Sequence, residues 1–195
     1  MTDLLAMAVF SMIMSITPGP VNLITLNSGL NHGFRRTFAY VSGATIGFSL
    51  LLLSLGLGLS GLIMAYPQLL HFLSILGTLY MVYLGYLIMR SSASDSTVKL
   101  DKVPKFLEGA LLQCTNPKAW IACLSGITAF AKADSLIPLL SFVSIYFVIC
   151  YLCISIWALA GAQLQLLLTT EKYRQRFSQL MGLLLIATAV WIIVC

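Results

Sequence analysis

Two short segments of the chain combine backbone-breaking residues with polar side chains, although the sequence on either side is apolar. The first is Thr17-Pro18-Gly19-Pro20-Val21-Asn22, and the second is Asn116-Pro117-Lys118. Proline lacks a backbone N–H and clashes with the preceding helical turn, so each segment should break a helix. The half-helix that begins near Pro20 offers unpaired donors and a partial positive charge, which suit a carboxylate. These residues therefore predict noncovalent binding of a small polar molecule.

The predicted binding site comprises residues of both breaks: Pro18, Gly19, Pro20, Asn22, Asn116, Pro117 and Lys118. The two asparagines can both donate and accept hydrogen bonds. Lys118 carries the one fixed charge near the middle of an apolar segment, which makes it a functional candidate. In the alternative, structural interpretation its ammonium reaches out to the membrane interface. We predict no catalytic residue, no metal ligand and no cofactor.

Composition indicates that membrane helices carry these breaks. Of 195 residues, 59% are hydrophobic and 9% are charged, whereas soluble domains carry about 25% charged residues. A helix needs about 20 apolar residues to cross the bilayer core. Six such segments lie at about 4–30, 37–64, 68–90, 106–131, 136–162 and 177–195. The net charge of +5 comes from scattered Lys and Arg residues, which argues against a nucleic-acid-binding stripe.

Lys and Arg residues also predict how the helices are oriented. With the N-terminus outside, only Lys132 falls in an outside loop. Nine others fall in inside loops: Arg35, Arg36, Arg90, Lys99, Lys102, Lys105, Lys172, Arg174 and Arg176. We therefore expect a multi-pass protein in the lipid bilayer with both termini outside.

The two breaks lie about half the chain apart, and each opens a set of three predicted helices. Since three is odd, the second set should be inserted upside-down relative to the first. We expect an all-α integral membrane fold of one domain, with six transmembrane helices as two inverted three-helix repeats and with helices 1 and 4 broken. The repeats lie at about 1–90 and 106–195, joined by a polar linker at 91–105. Such transporters bind substrate near the midplane, between the broken helices.

The sequence resembles the LysE/RhtB family of amino-acid exporters. The similar residues are Thr17-Pro18-Gly19-Pro20 with Asn22, Gly33-Phe34-Arg35-Arg36, Leu76-Gly77-Thr78-Leu79-Tyr80 with Leu84-Gly85, and Phe106 with Gly109 before Asn116-Pro117-Lys118. Leu112-Gln113 and Trp157-Ala158-Leu159-Ala160-Gly161 look most like the cysteine/O-acetylserine exporter branch. The resemblance implies export of amino acids or close relatives across the bacterial inner membrane, driven by the proton-motive force.

The acidic residues narrow the expected substrate. Asp3, Glu108, Asp134 and Glu171 all lie near helix ends or in loops, so a cationic substrate side chain would meet no counter-charge inside the membrane. We expect a small neutral amino acid, with protons as the coupling ion. Lys118, Glu108 and the substrate's own ionisable groups are all candidate proton carriers. Gly43 and Gly47 permit close helix packing, either within the protomer or in a homodimer.

Two other functions are open on the same scaffold. A membrane thiol–disulfide electron shuttle needs a reactive cysteine at each break; Cys114 lies near the second break, but the first offers only Ser15 and Thr17. An ion or metal transporter needs clustered carboxylate, imidazole or thiolate ligands, which the predicted midplane does not supply. Cys150 and Cys153 have redox spacing, yet inside an apolar helix such cysteines are more often packing residues.

Overall fold

The computed structural model describes residues 2–59, 67–90, 103–131, 135–168 and 170–194, and there the regular elements are helices. In chain order they are α1 (Thr2–Ile16), α2 (Pro20–His32), α3 (Phe34–Ser54), α4 (Pro67–Arg90), α5 (Phe106–Thr115), α6 (Pro117–Phe130), α7 (Ile137–Leu167) and α8 (Glu171–Val194). A π-helical segment, Leu55–Leu59, extends α3. Most of the predicted linker, 91–102, lies outside the described residues.

Length and hydropathy test which helices can cross a membrane. The segment Phe34–Gly58, with mean hydropathy 1.8, and α7, with mean hydropathy 2.4, are each long and apolar enough. Leu4–Ile16 and Pro20–His32, which meet at a bend of 59°, would together make a third crossing. These findings cover the described ranges only. The apolar, all-α membrane fold is confirmed, whereas six crossing helices and their inverted arrangement stay predictions.

Both predicted helix breaks are confirmed. Helix α1 ends at Ile16 and α2 begins at Pro20, while α5 ends at Thr115 and α6 begins at Pro117. In each case a proline opens the second half-helix. This position suits proline because the first residues of a helix have no intrahelical partner for their N–H groups.

Two helix boundaries differ from the predicted spans. Helix α7 continues to Leu167 instead of ending near 162, and α8 begins at Glu171 instead of near 177. Hydropathy marks only the apolar part of a helix, and both helices continue into polar turns. Arg174 of α8 donates to the carbonyls of Leu168, at 2.9 Å, and Gln165, at 3.1 Å. Arg174 thereby supplies hydrogen-bond donors to carbonyl groups at the end of α7 that have no partner within the helix.

Helix α2 lies at the centre of the bundle. Every residue from Pro20 to Leu30 is buried, and α2 packs most extensively against α7. Its four buried polar residues, Asn22, Thr25, Asn27 and Ser28, all make hydrogen bonds. The side of the first break that begins at Gly19 is therefore held inside the protein, where non-helical backbone is tolerated in a membrane, whereas Thr17 and Pro18 are exposed.

Glycines bring α2 and α7 close together. A Cβ atom added to Gly161 would lie 2.9 Å from the backbone nitrogen of Leu30, and one added to Gly29 would lie 3.2 Å from that of Ala162. Both distances are shorter than ordinary contacts of a Cβ atom. Small residues at such positions let two helix backbones approach each other.

Helices α3 and α5 pack in the same way. A Cβ atom on Gly47 would lie 2.7 Å from the Cα atom of Ala110, and one on Gly43 would overlap the backbone of Phe106. The close packing that Gly43 and Gly47 predict therefore occurs within the protomer. The homodimer stays a prediction.

We expect Gly161→Leu to separate α7 from α2 and to lower the thermal unfolding temperature of the detergent-solubilised protein. Overpacking costs about 1–3 kcal/mol, or about 3–10 °C for a chain of this size. Ala160→Leu is the matched control, because Ala160 lies on the same turn of α7 and is exposed. It should leave the unfolding temperature nearly unchanged. Equal losses in the two variants would contradict the close approach of α2 and α7.

Candidate substrate site

Side chains pair with the carbonyl groups that the end of α1 leaves open. Nδ2 of Asn22 donates to the carbonyls of Ser15 and Thr17, each at 2.9 Å. The indole N–H of Trp157, on α7, donates to the carbonyl of Ile16 at 3.2 Å. An unpaired backbone group costs several kcal/mol in an apolar medium. These hydrogen bonds therefore stabilise the first break in the membrane.

Lys118 connects the two breaks. Its Nζ atom donates to the carbonyl of Thr17 at 2.6 Å and to the hydroxyl of Thr17 at 2.8 Å, and it lies 3.5 Å from the carbonyl of Pro18. All three acceptors are uncharged oxygens at the C-terminal end of α1, where the helix dipole favours a cation. An ammonium from the second break therefore stabilises the first.

The position of Lys118 on its own helix is electrostatically unfavourable. Lys118 follows Pro117 in the first turn of α6, where the helix dipole disfavours a cation. Its side chain reaches α1 across Gly19, where an added Cβ atom would lie 3.0 Å from Cδ and 3.2 Å from Nζ of Lys118. The backbone of Gly19 is extended, with φ −165° and ψ 175°, a conformation open to any residue. Glycine suits this position because a side chain here would collide with Lys118, and not because the backbone conformation requires glycine.

Asn116 organises the second break. Its Oδ1 atom accepts a hydrogen bond from the backbone N–H of Lys118 at 3.1 Å, which caps α6. Its Nδ2 atom lies 3.5 Å from Oε1 of Gln113. Gln113 in turn donates to the carbonyl of Ala44, on α3, at 3.2 Å. These contacts fix the second break relative to α3.

The N-terminus of α2 differs from that of α6. Gly19 occupies its N-cap position, and no side chain within the described ranges caps it. The first intrahelical bond runs from the N–H of Leu23 to the carbonyl of Gly19 at 3.0 Å. The first turn of α2 therefore offers backbone donors to a ligand, as the sequence predicts.

A cavity of about 40 Å³ lies between the two breaks. Its polar lining residues are Ser15, Asn22, Gln113, Asn116, Lys118 and Tyr146, together with the thiol of Cys150. The lining that the described chain forms includes no Asp or Glu. Since a water molecule needs about 10–15 Å³ by this measure, the cavity holds about three waters and is smaller than an amino acid requires.

A second cavity, of about 240 Å³, shares Gly19 and Lys118 with the first. The other residues that line it are Pro18, Pro20, Ile121 and Thr188. Six of the seven predicted site residues thus line one or both cavities, and within the described structure Pro117 is the exception. Lys118 lies at the boundary between a small polar space and a larger, mostly apolar one.

Comparison with protein families identifies the class of protein. The family model described as LysE type translocator matches residues 12–194, which include both breaks, both cavities and every helix except the first ten residues of α1. The chain belongs to the LysE type translocator family.

Relatives of this translocator with a similar length share one name. It is 28% identical over 198 residues to the cysteine/O-acetylserine efflux protein of Escherichia coli O139:H28, across 97% of this chain and 96% of the relative. The protein of that name from Salmonella paratyphi A is 29% identical over 190 residues, across 93% of this chain and 92% of the relative. The one from Escherichia coli K12 is 28% identical over 198 residues. No solved structure matches the chain significantly.

The predicted family resemblance is therefore confirmed. Membership places the chain among amino-acid efflux translocators, which are membrane transporters and not enzymes. The family match does not assign roles to individual residues, so the binding roles of all seven predicted residues stay predictions.

Four further residues of the candidate site, Ser15, Gln113, Tyr146 and Cys150, are not predicted from the sequence. Ser15 and Gln113 each precede their break by about one helical turn, and this shared spacing could have identified them. Tyr146 and Cys150 lie one turn apart on α7, an unbroken helix. No local sequence feature marks which of its faces meets the two breaks.

We expect Asn116→Ala to destabilise the translocator by about 1 kcal/mol, because it removes the N-cap of α6. Asn116→Ser is the matched variant, since a serine hydroxyl can also cap a helix, and it should recover most of that loss. Thermal unfolding in detergent measures both. If alanine and serine were equally destabilising, the cap would not be what Asn116 contributes to stability.

Proposed function

We propose that this translocator exports small neutral amino acids or close derivatives from the bacterial cytoplasm. The observation that carries the proposal is the polar cavity between two broken helices, whose described lining contains one cation and no carboxylate. The relatives named for cysteine and O-acetylserine efflux support the same substrate class, since they match nearly the full chain.

In the proposed complex the substrate carboxylate binds the uncapped first turn of α2, near Val21 and Asn22, and the ammonium of Lys118. The amino group faces the side-chain oxygens of Asn116 and Gln113, which have lone pairs left after their present bonds. A substrate with a cationic side chain would be repelled by Lys118, because charges interact strongly in a medium of low dielectric constant. Neutral side chains are therefore favoured.

Lys118 is also the proposed gate. The small cavity cannot hold an amino acid, so we infer that the structure represents a closed conformation. When the Lys118 ammonium moves from Thr17 to the substrate carboxylate, the small cavity can join the larger one that shares Lys118 and Gly19. Rocking of the two halves then exposes the site to the two sides of the membrane in turn.

Proton antiport is the proposed source of energy, and Lys118 is the best-placed proton carrier. Its Nζ atom has three oxygen neighbours, and only a protonated amine has three hydrogens to donate. Loss of the proton would weaken the connection between the breaks. Glu108, the other candidate side chain, lines neither cavity, and its carboxylate accepts a hydrogen bond from the N–H of Lys105 at 3.2 Å.

Helix packing supports the proposed inverted repeats. If α1–α4 correspond to α5–α8, the contact of α1 with α7 corresponds to that of α5 with α3, and both are extensive. Exchanging the two halves leaves the α3–α7 and α4–α8 contacts unchanged, and both of these contacts are also extensive. The α2–α7 contact departs from this symmetry, because α6 packs only lightly on α3. The two half-helices after the breaks therefore differ in their surroundings.

The test of the proposed function is efflux from preloaded proteoliposomes with an imposed proton gradient. We expect the wild type to move cysteine and O-acetylserine and to slow when a protonophore is added. Lys118→Met should reduce the rate about 10-fold to 100-fold, since a hydrogen bond to a charged group contributes about 1.5–3 kcal/mol. Lys172→Met, the same change at an exposed residue of α8, should transport normally.

Two results would contradict the proposal. The first is the absence of efflux for every small neutral amino acid from well-inserted wild-type protein. The second is wild-type efflux by Lys118→Met. Size-exclusion profiles of both lysine variants establish that they fold and insert.

We also expect both termini to face the outside of the bacterial inner membrane, because nine of the eleven Lys and Arg residues then lie on the inside. Alkaline phosphatase fused to the C-terminus should be active, and a green fluorescent protein fused there should be dark. The opposite pattern would reverse the proposed orientation without affecting the site.

A further inference from the structure

The hydroxyl of Ser15 makes no hydrogen bond of good geometry within the described structure, although it lies beside the side chains of Tyr146 and Cys150 and only 7% of the residue's surface is exposed. It lines the small cavity between the breaks. A buried hydroxyl without a partner is destabilising, and such a group in a native structure calls for an explanation. A ligand that enters the cavity would supply the missing partner.

Serines elsewhere in the helices show that this arrangement is not imposed by the backbone. Ser11, one turn earlier in α1 and fully buried, donates to the carbonyl of Met7 at 2.7 Å. Thr25 and Thr45 bond to the carbonyl four residues earlier in the same way. Among the buried Ser and Thr side chains of the described chain, Ser15 alone has an unpaired hydroxyl. Its side chain faces the cavity instead of its own helix.

The surroundings of Ser15 fix its position relative to the proposed carboxylate site. Asn22, at the start of α2, donates to the carbonyl of Ser15 at 2.9 Å. Tyr146 and Cys150 of α7 line the same cavity. In this closed conformation the cavity of about 40 Å³ leaves little space beside Ser15, which favours a short substrate side chain.

The second unpaired hydroxyl does not compete for this role. Tyr40 is also buried without a hydrogen-bond partner in the described chain, but it is not among the residues that line either cavity. Within the described chain, Ser15 is thus the residue at which such a hydroxyl lines one of these two cavities.

We propose that Ser15 determines specificity by hydrogen bonding to a polar atom on the substrate's short side chain: a hydroxyl, a thiol or an ester oxygen. This inference rests on the proposed export of small neutral amino acids and defines which of them are preferred. An aliphatic side chain of the same size would leave the Ser15 hydroxyl unpaired, and sites built to bond a polar group discriminate against such analogues. Ser15 thus separates polar from apolar substrates of equal volume.

The test uses a pair of competitors that differ by one group. In proteoliposomes that transport labelled O-acetylserine, we measure the inhibition constants of serine and of 2-aminobutyrate, in which a methyl group replaces the hydroxyl. The wild type should favour serine. Ser15→Ala should reduce this preference about three- to tenfold, the ratio that one neutral hydrogen bond supplies.

Two further variants make the result specific. Ser11→Ala removes a buried hydroxyl of the same helix outside the cavity and should leave the preference unchanged. Ser15→Cys keeps a weak donor and acceptor at the site and should give an intermediate preference. If Ser15→Ala transports too slowly to measure, the same two ratios are obtained from ligand-induced shifts of the unfolding temperature in detergent.

An unchanged preference in Ser15→Ala, or an equal fall in Ser11→Ala, would overturn this inference while leaving the proposed function intact. Absence of transport of every small neutral amino acid, O-acetylserine included, by the wild type would instead contradict the proposed function. The two failures are therefore distinguishable within one experiment.

Discussion

A broken helix in a membrane needs partners for its freed backbone groups, and the structure of this translocator depends on meeting that constraint. Lipid offers no hydrogen bonds, so protein side chains must supply them. At the first break Asn22, Trp157 and Lys118 donate to the carbonyls of residues 15–17. At the second, Asn116 caps α6 and Trp120 donates to the carbonyl of Cys114 at 2.8 Å. Polar side chains that stabilise the breaks thus gather in one place, and three of them, Asn22, Asn116 and Lys118, line the small cavity.

Lys118 has a particular place in this arrangement because it serves both breaks. It belongs to α6 and bonds to the end of α1, so moving it changes the contact between the two halves of the chain. A substrate carboxylate is a stronger acceptor for an ammonium than neutral carbonyls are. Binding and opening can therefore be linked through one side chain, without long-range communication. The contact between Lys118 and Thr17 lies at an exposed position, next to the buried helix α2.

The sequence predicts the helices, both breaks and the importance of Lys118, because prolines and a charge in apolar segments have few physical explanations. It does not predict that Lys118 bonds to Thr17, since the two residues are 101 positions apart and only the fold brings them together. Nor does it identify Tyr146 and Cys150, which lie on a uniformly apolar helix. Ser15 is the opposite case: its place before the break is visible in the sequence, but its missing hydrogen bond is visible only in the structure.

We propose that substrate occupies the cavity between the two breaks. Cys150 allows the most direct test of this proposal, because its thiol lines that cavity and is buried. In a variant that retains Cys150 as its only cysteine, the rate of reaction with N-ethylmaleimide should fall as O-acetylserine is added, with half-protection near the concentration that half-saturates transport. A variant that retains only Cys114, which is exposed and outside the cavity lining, should react at a constant rate. If O-acetylserine is transported at saturating concentration and the labelling rate of Cys150 does not change, the substrate does not bind in this cavity.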